Sequence, residues 1–159
     1  MNWQEVCESP YLQDIPFKIE LNCWGQIVMS PAKNIHSAMQ WAIQQTLYDL
    51  MGKSGRILPE CSVRTQDNVK VADVVWISEQ RFQQVRHEIA YSLAPEICIE
   101  VLSSGNTKKE MRKKVRLYLN AGAKEVWICT EDGKMSFYNH DGKLKRSSFV
   151  SDFPSQVKI

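Results

Sequence analysis

The chain has 159 residues, of which 43% are hydrophobic and 24% charged, and its formal net charge is +2. This composition suits one soluble globular domain over residues 1–159, with a core that needs neither disulfides nor a metal ion. No run approaches the roughly twenty apolar residues of a membrane span, so we expect a cytoplasmic protein that does not bind membranes.

The cysteines are odd in number, scattered and free of CxxC pairs, which predicts buried thiols in a reducing compartment. They are Cys7, Cys23, Cys61, Cys98 and Cys129. The net charge is too small to predict nucleic-acid binding by itself. Basic residues nevertheless cluster at residues 108–116 and again at 142–146.

The first part of the chain predicts a hairpin followed by a helix. The segment "FKIELNCWGQIVMS" has the pattern of two strands that turn near residues 22–25. In "NIHSAMQWAIQQTLYDLMG" the apolar residues recur at helical spacing. This segment predicts an amphipathic helix with Asn34 as its N-cap and Gly52 at its end.

Three strands, a second helix, a further strand and a second hairpin are predicted next. The strands are "ECSVRTQ", "VADVVWIS" and "EICIEVLS", and the polar segment between the last two predicts a helical turn. "NTKKEMRKKVRLYLNAGA" predicts a helix capped by Asn106 or Thr107 and ending near Gly122. "KEVWICT" predicts a strand, and "KMSFYNHDGKLKRSSFV" a hairpin that turns at residues 141–142. This order predicts a mixed α/β fold in which two helices cover a sheet.

Two carboxylates interrupt otherwise apolar strands. Glu100 lies in the middle of "EICIEVLSS", where both faces of the strand are apolar, and Asp73 lies within "VADVVWI". An ionised carboxylate out of water is costly unless a cation or several donors compensate it. If the strands are neighbours, the acids converge and a divalent ion such as Mg²⁺ removes their repulsion. The alternative is a structural ion pair, for instance with Arg64 or Arg86, or a position of Asp73 at an exposed sheet edge.

One lysine of the second helix is well placed to reach these acids. At about 100° per residue the helix has one apolar stripe, which predicts its buried face: Met111, Val115 and Tyr118. Lys114 borders this stripe and is the best candidate to reach Glu100, with Lys108, one turn before the apolar stripe begins, as a weaker rival. The alternative is a lysine whose aliphatic stem covers the core while its amine stays in water.

A series of short motifs runs along the chain in a fixed order. They are Gly25, Met29-Ser30-Pro31, His36, Ala72-Asp73, Glu100-Val101-Leu102-Ser103, Lys114, Tyr118, Ala121-Gly122 and Val126-Trp127. In this order they resemble the Uma-two family of the PD-(D/E)XK nuclease superfamily, over nearly the whole chain. The resemblance implies a restriction-endonuclease-like mixed sheet flanked by two helices. Ala72 replaces the usual proline, and Leu102 stands where the superfamily has a lysine, so the resemblance requires Lys114 to supply that amine.

The resemblance also implies a reaction. It is the Mg²⁺-dependent hydrolysis of phosphodiester bonds by an endonuclease of DNA, with Mn²⁺ as a substitute metal. Asp73 and Glu100 would ligate the ion, and the backbone carbonyl of Val101 would add a third oxygen. Lys114 would orient the attacking water or stabilise the charged phosphorane, because an amine with an ordinary pKa of about 10.4 is a poor base. By analogy, cutting both strands of a duplex implies a homodimer.

Other residues are candidates for accessory roles. His36 and Gln40 are candidates to lie near the substrate, and Glu20 and Glu60 to ligate the metal or a water. The exposed basic residues of the second helix are candidates to contact phosphates, although a solvated helix face explains them as well: Lys109, Arg112, Lys113 and Arg116. Two other functions stay open, namely a catalytically inactive nucleic-acid-binding or structural descendant of the fold, and a nuclease of RNA or branched DNA.

Overall fold

The computed structural model describes residues 1–31 and 33–159, and within them the chain forms helices and strands in alternation. The helices are α1 (Trp3–Glu8), α2 (Asn34–Met51), α3 (Glu79–Val85) and α4 (Lys108–Asn120). The strands are β1 (Phe17–Leu21), β2 (Ile27–Pro31), β3 (Gly55–Thr65), β4 (Asn68–Ser78), β5 (Ile97–Val101), β6 (Glu125–Cys129), β7 (Met135–Asn139) and β8 (Gly142–Leu144). In this described part of the chain, no helix is long and apolar enough to cross a membrane.

Six strands form one mixed sheet in the order β3-β4-β5-β6-β7-β8. Neighbouring strands are antiparallel except β5 and β6, which are parallel. The crossover through α4 returns the chain to the end of the sheet at which β5 begins, so β6 runs in the same direction. The β1–β2 hairpin is a separate antiparallel pair that packs on β4. The predicted mixed α/β fold is confirmed, with α1 and a full α3 in addition to the two expected helices.

The two longer helices pack on opposite faces of the sheet. On one face α2 contributes Met39, Ile43 and Leu47 to a cluster that includes Ile97 and Ile99 of β5. On the other face α4 contributes its apolar stripe, extended by Leu119, to a cluster that includes Cys98. Alternation along β5 therefore sends its odd-numbered residues toward α2 and its even-numbered residues toward α4. Glu100 follows the second set.

Several local predictions need correction. Asn34 is the first residue of α2 rather than its cap, because Lys33 occupies the N-cap and makes no side-chain capping bond. Of the two candidates for α4, Thr107 is the N-cap, and it forms a capping box with Glu110. The C-terminal hairpin turns one residue earlier than predicted, since Gly142 is the first residue of β8 and pairs with Asn139.

The prediction that the cysteines are buried is right for three of them. Cys61, Cys98 and Cys129 are buried, whereas Cys7 and Cys23 are exposed. Cys7 lies in α1, a short helix that the sequence analysis did not predict, and Cys23 lies in the turn of the first hairpin. The three buried thiols lie in strands of the main sheet, where both faces are covered by helices.

Candidate active site

Asp73 and Glu100 lie where strands β4 and β5 separate. The paired residues of the two strands run from Trp76 and Ile97 to Val74 and Ile99, and the two acids are the next residues beyond this last pair. Both side chains are buried, with Asp73 at 0% and Glu100 at 2% exposure. Asp73 replaces a backbone partner across the gap, because its Oδ2 accepts a hydrogen bond of 2.7 Å from the backbone N–H of Val101. The acids are thus fixed at the fork of two buried strands.

An ammonium group lies between the two carboxylates. Lys18 Nζ is 2.7 Å from Asp73 Oδ1 and 3.4 Å from Glu100 Oε2. Lys18 belongs to β1, so the packing of the first hairpin on β4 brings this amine to the acids. The sequence analysis missed Lys18. A usable signal was present, because Lys18 precedes the candidate Glu20 by two positions and therefore shares its face of the strand.

Lys114 contacts the same oxygen of Glu100 as Lys18 does. Its Nζ is 2.8 Å from Glu20 Oε1 and 3.2 Å from Glu100 Oε2. Glu20 Oε1 also accepts a hydrogen bond of 2.9 Å from the backbone N–H of Val71, which ties the first hairpin to β4. By contrast, the side chain of Lys113 is 53% exposed and pairs with Asp67 at 2.6 Å. Of these two adjacent lysines, the structure brings only Lys114 to the acids.

Tyr118 holds the remaining oxygen of Glu100. Its hydroxyl donates a hydrogen bond of 2.6 Å to Glu100 Oε1, and its side chain is fully buried in the apolar stripe of α4. Glu100 Oε1 therefore faces the phenol, while Oε2 faces Lys18 and Lys114. The helical periodicity placed Tyr118 on the buried face but did not predict this hydrogen bond.

His36, Gln40 and Glu60 border the acids from the side of α2. His36 Nε2 is 3.3 Å from Asp73 Oδ1, and Gln40 donates a hydrogen bond of 2.6 Å to Glu60 Oε1. Glu60 has a φ of 50°, an uncommon value for a residue with a side chain, and it interrupts β3 between the pairs on either side of Asp73. One open pocket is lined by the two acids and by most of the groups around them, but not by Glu20: Lys18, His36, Gln40, Glu60, Asp73, Glu100, Val101 and Lys114.

The charges of the site depend on burial and on these contacts. Burial would raise the pKa of Asp73, but Lys18 and the hydrogen bond from His36 hold this pKa below its usual range. Burial raises the pKa of Glu100, and Lys114 and Lys18 only partly oppose this effect. Asp73 is therefore the more acidic of the two carboxyl groups.

Both lysines remain protonated at neutral pH. Burial would lower the pKa of Lys18, but the carboxylates of Glu100 and Asp73 hold it well above its usual value. Burial would likewise lower the pKa of Lys114, and Glu100 together with Glu20 raises it instead. The hydrogen bond with Asp73 raises the pKa of His36, with burial opposing. The acids therefore lie in a cluster of positive groups.

The arginines considered as structural ion-pair partners of the acids are not their partners in the structure. Asp73 pairs with Lys18 and His36, not with Arg64 or Arg86, and it does not lie at an exposed sheet edge. Arg86 is exposed and donates hydrogen bonds to its neighbours in the chain. Both acids do have cationic partners, but these come from β1, α2 and α4.

The other basic residues of α4 lie away from the acids. Three of them line a groove between α4 and the C-terminal hairpin, together with Tyr138 and Lys143: Lys109, Arg112 and Arg116. Lys113 lies on a different side of the helix, near the β1–β2 hairpin. The rival lysine, Lys108, also lines the groove, so the structure does not bring it to Glu100.

The donor set at the fork fits a hard divalent cation. Asp73 Oδ1 and Glu100 Oε2 converge on one positive group, so their oxygens already form a cation-binding arrangement. Mg²⁺ in proteins is typically held by one or two carboxylates, with waters or phosphates completing its ligands. Within residues 1–31 and 33–159 the structure has no cluster of three or more His, Cys, Asp or Glu side chains arranged around a metal position. A two-carboxylate Mg²⁺ site completed by waters or phosphate is consistent with this geometry.

The mixed α/β fold has a counterpart among solved structures. The chain is similar to the crystal structure of "a putative nuclease belonging to DUF820" from Anabaena variabilis, with a TM-score of 0.71 and 18% sequence identity. The similarity covers 98% of this chain and 94% of that chain, and at this identity it establishes the fold.

The family is established by a separate comparison. The model of the Uma2 family, the Uma-two family named above, is described as "Putative restriction endonuclease" and matches residues 3–157. The chain therefore belongs to this family, and its membership supports a nuclease. No curated protein matches the chain.

Proposed function

We propose that this protein is a metal-dependent endonuclease that hydrolyses phosphodiester bonds of DNA, with Mg²⁺ as its cofactor and Mn²⁺ as a substitute. The observation that carries the proposal is the convergence of two buried carboxylates on one cation position in an open pocket. Burial of two neighbouring carboxylates is costly, and a role in binding a metal ion for catalysis would explain why the fold keeps them together. Membership of the family supports the same reaction.

Asp73 and Glu100 would hold the metal, with the backbone carbonyl of Val101 as a third oxygen. When bound, the ion polarises the scissile phosphate and lowers the pKa of a bound water. The chain fixes both acids before the metal binds, since the Val101 N–H holds Asp73 Oδ2 and Tyr118 holds Glu100 Oε1. The oxygens that remain, Asp73 Oδ1 and Glu100 Oε2, both face Lys18.

Lys114 acts through its positive charge. In the metal-free protein Glu100 and Glu20 raise the pKa of Lys114 although burial opposes them, which favours a role as a positive charge over a role as a base. An ammonium 3.2 Å from Glu100 Oε2 is placed to orient that water and to stabilise the charge that develops on the phosphate. Glu20 also holds the amine of Lys114 in place, through a contact of 2.8 Å. His36 supports Asp73 and borders the pocket where the substrate would lie, with Gln40 and Glu60 beside it.

The substrate would meet the site as one domain over residues 1–159. The exposed basic residues of α4 are proposed to contact DNA phosphates: Lys109, Arg112, Lys113 and Arg116. Because one site cuts one strand, cleavage of both strands of a duplex favours a homodimer. A nuclease of this kind would act in the cytoplasm.

The test removes the charge of each acid without changing its shape. Asp73→Asn and Glu100→Gln should abolish Mg²⁺-dependent cleavage of plasmid and single-stranded DNA, measured on gels with purified protein. The control is Glu125→Gln, because Glu125 is also a buried carboxylate of the sheet but bonds to Trp127 and Ser147, away from the pocket. Cleavage that continues in EDTA, or that survives in both acid variants, would contradict the proposal. RNA and branched DNA are tested in parallel, and cleavage of those alone would change the substrate.

A second function is favoured by one observation. Lys18 already neutralises the two carboxylates, so the cluster is also consistent with a stable ion-pair network in a nucleic-acid-binding descendant without catalysis. The wild-type protein would then bind DNA in a mobility-shift assay but cut none of the tested forms with Mg²⁺ or Mn²⁺. Cleavage that depends on Asp73 excludes this alternative.

A further inference from the structure

The position of Lys18 raises a question about how a metal ion enters the site. Each acid has one oxygen engaged by a neutral donor, since Asp73 Oδ2 accepts from Val101 and Glu100 Oε1 accepts from Tyr118. The oxygens left for a cation are Asp73 Oδ1 and Glu100 Oε2. These are the two atoms that Lys18 Nζ contacts, at 2.7 and 3.4 Å. The Lys18 ammonium therefore occupies the position that an ion bound to both of these oxygens would take.

The ammonium and a divalent ion cannot share this position. Mg²⁺ binds carboxylate oxygens at about 2.1 Å, so an ion between the acids would lie within the space that the ammonium fills. Two like charges at such a separation also repel strongly. Lys18 must therefore move when an ion takes both oxygens.

Lys18 has room to leave. Its side chain lines the open pocket and is 14% exposed, so its amine lies at the boundary between the buried acids and the pocket. The lysine side chain is a flexible four-carbon stem that can carry its ammonium to another position in the pocket. The neighbouring residue, Phe17, is 43% exposed at the start of β1, so this end of the strand is not enclosed.

We propose that Lys18 is an internal counter-ion, which holds Asp73 and Glu100 together in the metal-free protein and is displaced from the same oxygens when a divalent cation binds. The inference rests on the proposed function, because it takes these two acids as the metal ligands. It adds a regulatory consequence. The affinity of the site for metal is set by competition with Lys18, and the acids stay in place without metal because their repulsion is compensated.

Lys114 provides a matched comparison. It is also a half-buried lysine with an amine close to Glu100, at 3.2 Å, but its shorter contact is with Glu20 at 2.8 Å, and it is not paired with Asp73. Removal of either positive charge reduces the electrostatic repulsion of a bound cation. Only Lys18 contacts both oxygens, so its removal should have the larger effect.

The experiment measures the binding of Mn²⁺ to metal-stripped protein by isothermal titration calorimetry, without substrate. Lys18→Met should tighten Mn²⁺ binding by about tenfold or more, because it removes the one ammonium that bridges Asp73 Oδ1 and Glu100 Oε2. Lys114→Met removes a charge in contact with Glu100 Oε2 alone and should tighten binding by less than about threefold. Lys18→Met should also lower the melting temperature of the metal-free protein, and Mn²⁺ should restore it. Lys18→Arg should weaken Mn²⁺ binding by about threefold or more, because a guanidinium forms two parallel hydrogen bonds with carboxylates and is harder to displace.

Four results would overturn the inference. Equal tightening in Lys18→Met and Lys114→Met would show an effect of net charge alone, and weaker binding in Lys18→Met would show that Lys18 assists the metal. Both leave the metal-dependent nuclease standing. Absence of Mn²⁺ binding in the wild type and in every variant overturns the inference together with the metal-dependent function. If Lys18→Met does not fold, Lys18→Arg decides alone, and affinity equal to or tighter than that of the wild type overturns the inference.

Discussion

The substitution Lys114→Met separates the proposed catalytic lysine from its neighbours on the same helix. It keeps an unbranched side chain of similar length but removes the amine that lies 2.8 Å from Glu20 and 3.2 Å from Glu100. Loss of one donor that stabilises a transition state typically costs a factor of about 10² to 10³ in rate. At 1.36 kcal/mol for each factor of ten, this corresponds to about 3 to 4 kcal/mol of activation free energy.

The same substitution also affects folding, and the two effects must be measured apart. Removal of one partner of a buried ion pair costs about 3 to 5 kcal/mol, which is an upper bound here because Glu100 keeps its contacts with Tyr118 and Lys18. Urea unfolding gives the change in stability. The rate is then measured under single-turnover conditions at a temperature where circular dichroism shows the variant folded.

Lys113→Met is the matched control. Its side chain is 53% exposed and pairs with Asp67 rather than with the acids. We expect weaker DNA binding with a smaller salt dependence and an unchanged single-turnover rate at saturating protein. Equal rate losses in the two variants, or full activity of Lys114→Met, would refute the assignment of Lys114.

Three further predictions concern stability and thiol reactivity. Tyr118→Phe should lower the free energy of unfolding by about 1.5 to 3 kcal/mol in urea titrations, because it removes a buried hydrogen bond to the carboxyl group of Glu100; a loss below about 0.5 kcal/mol would contradict that contact. Lys113 and Lys70 lower the pKa of Asp67 from 3.8 to about 2, although burial opposes them. A lowered pKa stabilises the fold above the unfolded value, so the stability difference between wild type and Asp67→Asn should be full above pH 4 and disappear as the pH falls toward 2. In native protein at pH 8, a thiol reagent should modify only the exposed Cys7 and Cys23, whereas it should modify all cysteines after denaturation; rapid modification of a third thiol would contradict the burial.

Local periodicity predicted much of the fold and part of the candidate site. The two-residue alternation of β5 placed Glu100 on the buried face opposite Ile97 and Ile99, and the helical spacing of α4 placed Lys114 beside the buried stripe. These predictions agree with the described positions because side-chain direction repeats with the period of a strand or helix, whatever packs around it.

The sequence was less informative about a short helix and about the exposure of a residue in a turn. The helix α1 has 6 residues, too few for a periodic pattern, and it was not predicted. Cys23 was predicted to be buried, yet it is exposed because it lies in the predicted turn near residues 22–25. The conformation of α1 depends on contacts that the local pattern does not contain.

The sequence by itself thus determined that Asp73 and Glu100 are buried and which lysine of α4 borders the core. Only the tertiary structure decided that Lys18, 55 residues before Asp73, places its ammonium between the two carboxylates. That contact depends on how the β1–β2 hairpin packs on β4, and hairpin packing has no period in the sequence. Opposite charges can pair whatever their separation in the sequence, so the partner of each charged group is set by the fold that brings the two together.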